Sequence, residues 1–362
     1  MSDPAGTLRR AREAAGLSLA AMAARTHYSK SYLGNVETGR RAVTPDVVRA
    51  YEQATGSDME RRGLLAGVAA GVVAATATSE VIRRGFIAAF DGDGDVDDWN
   101  GRVEGYGRDY MSLGASELQQ RLAGDLVVIQ RHLTGPAWWG VAARLMTVYG
   151  KTLPSTDAHT GAVSWYRMAA TAADRSTDTA VRVWVRGRAA LALGYEGAAL
   201  PVARELADQA LALSDRPSIG RLNALVAKAH VAALGGDRSG ALGLLGQARR
   251  VFDVAGSTEQ ISDYAMPPWR MATTVSLLLS RLGDPGAEAA QQEADRTRPA
   301  SLARFATHIE LHRALMMARS GDVTGGIDYA RTALDKLPQQ RHSLSLRLLM
   351  AEVERTAPPP RR

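Results

Sequence analysis

Four glycine-centred breaks cut the second half of this 362-residue chain into helix-length pieces: Gly194-Tyr195-Glu196-Gly197, Gly235-Gly236-Asp237, Gly283-Asp284 and Gly321-Asp322. They recur near every forty residues, each separating a longer apolar segment from a shorter one. From about residue 104 onward no alternating apolar and polar run is long enough to seed a sheet, so the pattern predicts helix after helix. The length allows two or three domains, one of them a long repeat array. With 46% apolar residues and a net charge of +6, the chain is neither disordered throughout nor all-acidic on its surface. It holds no cysteine, which removes disulfides, thiolate nucleophiles, cysteine-ligated zinc and iron–sulfur clusters. Only Lys30, Lys151, Lys228 and Lys336 are lysines; the arginine excess, with the alanine richness, reads as GC-rich coding.

Residues 1–56 keep a different rhythm. Short apolar-periodic segments break at Gly16, Thr26–Tyr28 and Gly39, and each is followed by a residue able to cap a helix. The reading is Thr7 capping 8–15, Ser18 capping 19–25, Ser29 capping 30–38, and Thr44 followed by Pro45 capping 46–55. Eight basic side chains (Arg9, Arg10, Arg12, Arg25, Lys30, Arg40, Arg41, Arg49) stand against five acids here, which places half of the net charge in under a sixth of the chain.

Two intervening stretches invite other readings. Met59-Glu60-Arg61-Arg62-Gly63 and the Ala/Gly/Val run to Thr78 look like a twin-arginine export signal or a membrane span. The run comes after a complete domain and is short for a hydrocarbon core of about 30 Å, so a buried or linker helix is expected. Asp91-Gly92-Asp93-Gly94-Asp95-Val96-Asp97-Asp98 resembles a calcium loop, but the positions that should be glycine and glutamate are Val96 and Arg102, so a solvated acidic linker is expected.

Two family resemblances organise these features. Gly16-Leu17-Ser18, Met22-Ala23, Ser29-Lys30-Ser31-Tyr32-Leu33, Val36-Glu37-Thr38-Gly39 and Pro45 resemble, at family spacing, the Cro/phage-repressor-like helix-turn-helix family, also called the xenobiotic-response-element family. Leu19, Met22, Ala23, Leu33, Val36, Val47 and Tyr51 can close a small core while Lys30, Ser31 and Asn35 stay on one exposed helical face. The resemblance implies that Lys30, Ser31 and Asn35 contact bases, that Arg40, Arg41 and the helix start after Thr44 contact phosphates, and that Glu37 pairs with Arg12 on the first helix. The family usually has a glutamine where this chain has Leu19. In the array, Gly236-Asp237-Arg238-Ser239-Gly240-Ala241-Leu242 leading to Ala248, and Gly321-Asp322 leading through Ile327 to Pro338, resemble the turn and second helix of the tetratricopeptide repeat, although the spacing exceeds its period of about 34 residues.

Catalytic signatures do not survive inspection. His308-Ile309-Glu310-Leu311-His312 has its acid one place late for a zinc hydrolase, and there is no nucleophile elbow, Walker loop or dinucleotide fingerprint. Neither an enzyme, a metal nor a cofactor is expected. Trp138, Trp139, Tyr149, Trp165, Tyr166, Trp184 and Tyr195 read mainly as core. Asn223, one of three asparagines, lies inside an apolar helix, where its amide either grips a peptide effector or bonds to a neighbouring helix.

The sequence thus predicts an all-α protein: a helix-turn-helix domain (1–60), an Ala/Gly-rich helix and acidic linker (61–103), a tetratricopeptide-like α-solenoid of about five helix pairs (104–356) and a disordered tail (357–362). The expected function is a cytoplasmic transcriptional regulator that binds double-stranded DNA as a homodimer. Its array senses a peptide or protein effector, as in helix-turn-helix regulators of bacterial peptide signalling. The alternative is a protein-interaction scaffold with a vestigial DNA-binding head.

Overall fold

The structure, a computed structural model, describes residues 4–41, 43, 45–55, 95–113, 115–153 and 161–356. All regular structure among them is helical. The chain divides into two compact units, Met1–Arg83 and Arg84–Arg362. Thr44, the 63–78 run and the 357–362 tail lie outside the described residues. Among the described residues, no helix is long and apolar enough to cross a membrane.

The first unit holds α1 (Pro4–Ala14), α2 (Leu19–Arg25), α3 (Lys30–Glu37) and α4 (Pro45–Thr55). Gly16 and Gly39 take φ of 69° and 72°, left-handed conformations that end a helix at little cost to glycine. Ser18 accepts the Ala21 amide at 3.1 Å and Ser29 the Tyr32 amide at 3.2 Å, so each hydroxyl starts its helix. Thr7 does not cap α1. The helix already runs from Pro4, whose lack of an amide hydrogen suits a first turn, and Thr7 inside it accepts from Arg10 at 3.0 Å. Leu8, Met22, Leu33, Val36, Val47, Val48 and Tyr51 form the core, with Leu19 and Ala23 partly buried against it.

The second unit opens with α5 (Val96–Ser112), which begins inside the stretch expected to be linker. Asp95 accepts the amides of Asp97 and Asp98 at 2.8 and 2.9 Å, and Asp98 accepts the Asp95 amide in return. These acids are therefore a capping box, and Trp99, Val103 and Tyr106 behind it are core. Next come α6 (Ala115–Ile129), α7 (Pro136–Gly150), α8 (Ala162–Arg175), α9 (Thr179–Glu196), α10 (Leu200–Leu213), α11 (Ile219–Leu234), α12 (Arg238–Ala255), α13 (Pro268–Leu282), α14 (Gly286–Thr297), α15 (Ala303–Arg319), α16 (Val323–Asp335) and α17 (Leu344–Glu354).

From α7 on, helices pack in consecutive pairs whose members differ in burial. The first member is enclosed on most sides: α9 buries every residue from Val183 to Gly194. In the last three pairs the second buries one narrow stripe: Ala241, Leu245 and Ala248 in α12, Ala287, Gln291 and Ala294 in α14, Gly326, Ala330 and Ala333 in α16. The glycine breaks form the pair turns, with Gly197, Gly236, Gly283 and Gly321 all at positive φ. The aspartate after three of them accepts a backbone amide at the start of the next helix: Asp237 from Gly240, Asp322 from Gly325 and Asp284 from Gly286. Neighbouring first helices touch through glycine, since a Cβ on Gly220 of α11 would stand 2.7 Å from the Trp184 backbone of α9. Arg281 at the end of α13 is buried, donating to the carbonyls of Gly194 (3.0 Å) and Tyr195 (2.8 Å), to His230 Nδ1 (3.0 Å) and to Glu352 of α17 (2.8 Å).

Candidate nucleic-acid interface

Capping by Ser29 sets where α3 begins, and the buried Leu33 and Val36 set which side faces the core. Lys30 and Ser31 are left exposed at the helix start, with Asn35 half-buried four residues beyond Ser31 on the same face. After Thr38 the positive φ of Gly39 turns the chain back, and the Arg41 amide donates to the Asn35 carbonyl at 3.0 Å. Arg40 and Arg41 therefore stand, exposed, beside the end of α3. The Arg41 guanidinium lies 5.1 Å from the centroid of the Tyr32 ring, which stacks on Tyr28 at 4.8 Å with planes 9° apart. Such a cation over a ring face is held at modest cost and keeps its donors free for an anion. Thr44 lies outside the described residues, so its phosphate role has no geometry.

Behind this face is an ionic lock. Arg12 Nε and Nη2 donate to the two carboxylate oxygens of Glu37 at 2.7 Å each, and Arg12 Nη1 donates to the Leu17 carbonyl at 2.8 Å. Tyr51 adds its hydroxyl to Glu37 Oε1 at 2.8 Å. Residues of α1, α3, α4 and the turn before α2 thus converge around one buried carboxylate. The Glu37 bond raises the Arg12 pKa against the opposing effect of burial. Burial, then the same carboxylate, pushes the Tyr51 hydroxyl up, so it stays protonated as a donor. Leu19, where the resembled family has glutamine, packs toward α3: its Cδ1 would stand 3.9 Å from a Cβ on Gly34. It is apolar support under the helix.

The array residues singled out from sequence fall elsewhere. Asn223 is 1% exposed, and its Oδ1 has no hydrogen-bond partner among the described residues. The amide is buried because α11 is enclosed by its neighbours. His308 and His312 are buried and bracket the Tyr195 hydroxyl at 3.3 and 3.1 Å, with His312 Nδ1 2.8 Å from Ser276 Oγ. Among the described residues, no three His, Asp or Glu side chains converge as metal ligands would. Trp138, Trp165 and Trp184 pack against Trp99, Tyr149 and Tyr264 respectively, while Tyr195 reaches a cavity. Sequence reading missed the roles of Tyr32 under Arg41 and Tyr51 on Glu37; a tyrosine amid apolar helix positions was the available signal.

A helix-turn-helix domain family model matches residues 5–65. No curated protein and no solved structure gives a match. The chain carries an N-terminal helix-turn-helix domain, and its described residues are all-helical in their regular structure.

Proposed function

We propose that this protein is a sequence-specific DNA-binding transcriptional regulator of the xenobiotic-response-element type, in which α3 enters the major groove. Lys30 donates to guanine acceptors, Asn35 reads adenine, Ser31 adjusts to either, and Arg40, Arg41 and the α4 start near Thr44 grip phosphates. The observation that carries this reading is the lock of Glu37 on Arg12 and Tyr51, which supports the inner side of α3 while its outer side keeps Lys30 and Ser31 exposed. A rigid helix with free polar donors on one side is what base readout requires.

The array then supplies dimerisation and effector sensing. The narrow alanine stripes on α12, α14 and α16 support a tetratricopeptide-like solenoid. In a dimer, the spacing of two heads sets the half-site spacing of about 34–36 Å or a multiple of it.

The test is binding of the full chain to genomic and scrambled DNA across a salt series. A regulator shows a sequence preference and a salt slope. A scaffold with a vestigial head, which the apolar Leu19 favours, shows neither.

A further inference from the structure

The interior of the array holds more positive than negative charge. Asp263, in the connection between α12 and α13, is 1% exposed. It accepts from Arg188 Nη2 at 2.7 Å and Nε at 3.1 Å and from Arg270 Nη2 at 2.9 Å, and Lys151 Nζ stands 2.5 Å from the same Oδ1. Three buried cations share one carboxylate. Arg270 spends Nη1 on the carbonyls of Ser262, Asp263 and Ala265. Lys151 Nζ also lies 3.4 Å from the centroid of Tyr110, and Arg304 donates to the Tyr110 carbonyl at 2.6 Å. Removing an ion from water is costly even after relaxation, so a surplus of buried positive charge is relieved by an incoming anion. Burial, joined by Arg188 and Arg270, pushes the Lys151 ammonium well below its ordinary value, while Asp263 opposes them.

These cations open onto space. An inner chamber of about 80 Å³ is lined by Lys151, Arg188, Arg270, Arg304, Tyr195 and His308. An outer chamber of about 310 Å³ includes Leu113, Leu118, Leu153 and Leu344 in its wall. The two share Tyr110, Lys151, Glu196, Arg304 and Ser345. Glu196 is the acid at their junction, in the same wall as Lys151 and Arg304.

The geometry points to this cavity as the seat of a small organic acid, whose carboxylate or phosphate head is held by Lys151, Arg188 and Arg304 and whose apolar body lies along Leu113, Leu118, Leu153 and Leu344. The cavity has the mixture of apolar wall and a few convergent polar groups that marks ligand pockets. Asn223 lines neither chamber. The site deepens the effector-sensing part of the proposed function and rests on it only for the consequence at DNA.

The experiment titrates the full-length protein at low ionic strength with octanoate, octyl phosphate, inorganic phosphate and octan-1-ol, followed by calorimetry and melting. At least one octyl acid binds one to one and raises the melting temperature, and the tighter of the two identifies the head group; octan-1-ol does not, and inorganic phosphate binds more weakly than the tighter acid. Lys151→Leu and Arg304→Gln each weaken that acid about tenfold or more, the loss of one charge-assisted contact. Arg304 is only half-buried, so its variant is the milder change and carries the test if Lys151→Leu does not fold. The proposal is overturned if neither acid binds, if octan-1-ol binds as well, or if both folded variants bind as the wild type does. Acid binding that leaves DNA affinity unchanged supports the site and counts against the regulatory coupling alone, so the two failures are distinguishable.

Discussion

Arg12 and Glu37, 25 residues apart, meet in a two-bond fork with both distances at 2.7 Å, and no other ion pair described in the first unit joins α1 to α3. Removing either partner leaves the other charge buried and uncompensated, a loss of about 3 kcal/mol. Arg12→Ala and Glu37→Ala are each expected to speed hydrogen exchange of α1 and α3 amides in the full-length protein, with α9 and α11 unchanged. Tyr51→Phe, losing one bond to the same carboxylate, costs about 1 kcal/mol. Exchange unchanged within error in all three variants would mean the fork opens in solution.

The two groups on the head fail differently on DNA. Asn35→Ala is expected to relax preference at one base pair and lose about 1–3 kcal/mol on the cognate site only. Arg41→Ala weakens all DNA alike and flattens the salt slope by about one unit. Binding to cognate and scrambled duplexes across a salt series separates the two, and identical behaviour of the variants would rule out α3 as the reading face.

Acid weakens the array through its histidines. Burial holds His308 down to about 3, and burial with Arg281 holds His230 well below 6.5. His312 is likewise lowered by burial, then by His308 and Arg281. Unfolded, all three take a proton near about 6.5. Below that value these rings bind more protons in the unfolded chain than in the folded one, so their contribution to stability falls as pH drops and is constant above it. Each ring costs about 1.4 kcal/mol per pH unit inside the window. Asp263 is held well below the carboxylate range by Arg188, Lys151 and Arg270 despite burial, and adds its loss only under about pH 4. Denaturant midpoints of the full chain between about pH 7.5 and pH 5 check this; equal midpoints would mean that the rings titrate in the native state.

Gly220→Ala sets two effects against each other. Helix propensity favours alanine by about 1 kcal/mol. The added Cβ would meet Trp184 backbone atoms at 2.7 Å, and backbone of a packed helix cannot swing aside as a side-chain tip can. Overpacking of about 1–3 kcal/mol or more wins, so a lower melting temperature is expected. A rise would show that α9 and α11 separate freely.

Local chemistry was legible before the structure. The breaks at Gly16, Gly39, Gly197, Gly236, Gly283 and Gly321 are the positive-φ glycines among the described residues, whereas the left-handed Thr177 and Ala199 carry no such mark in the sequence. The caps by Ser18 and Ser29 are legible as local features too, and the Asp95 capping box is equally local, although in sequence its acids merge into a charge run. The anion cavity was not legible. Arg188 and Asp263 lie 75 residues apart, and no spacing rule links an arginine inside one helix to an aspartate in a distant loop. The one trace was Lys151 itself, a lysine where the chain almost always uses arginine. For Asn223 a helical pattern shows that a residue faces inward without telling whether inward means groove or core; the structure buries it.

Arg281 makes the array something other than a row of modules. Where each pair touches only its neighbours, a helical array can fray from either end without the rest responding. Here one guanidinium from α13 closes the carbonyl end of α9, meets His230 of α11 and takes its counter-charge from Glu352 on α17. Detaching the final helix therefore strands a buried cation at the centre. The unit is expected to melt as a single cooperative block.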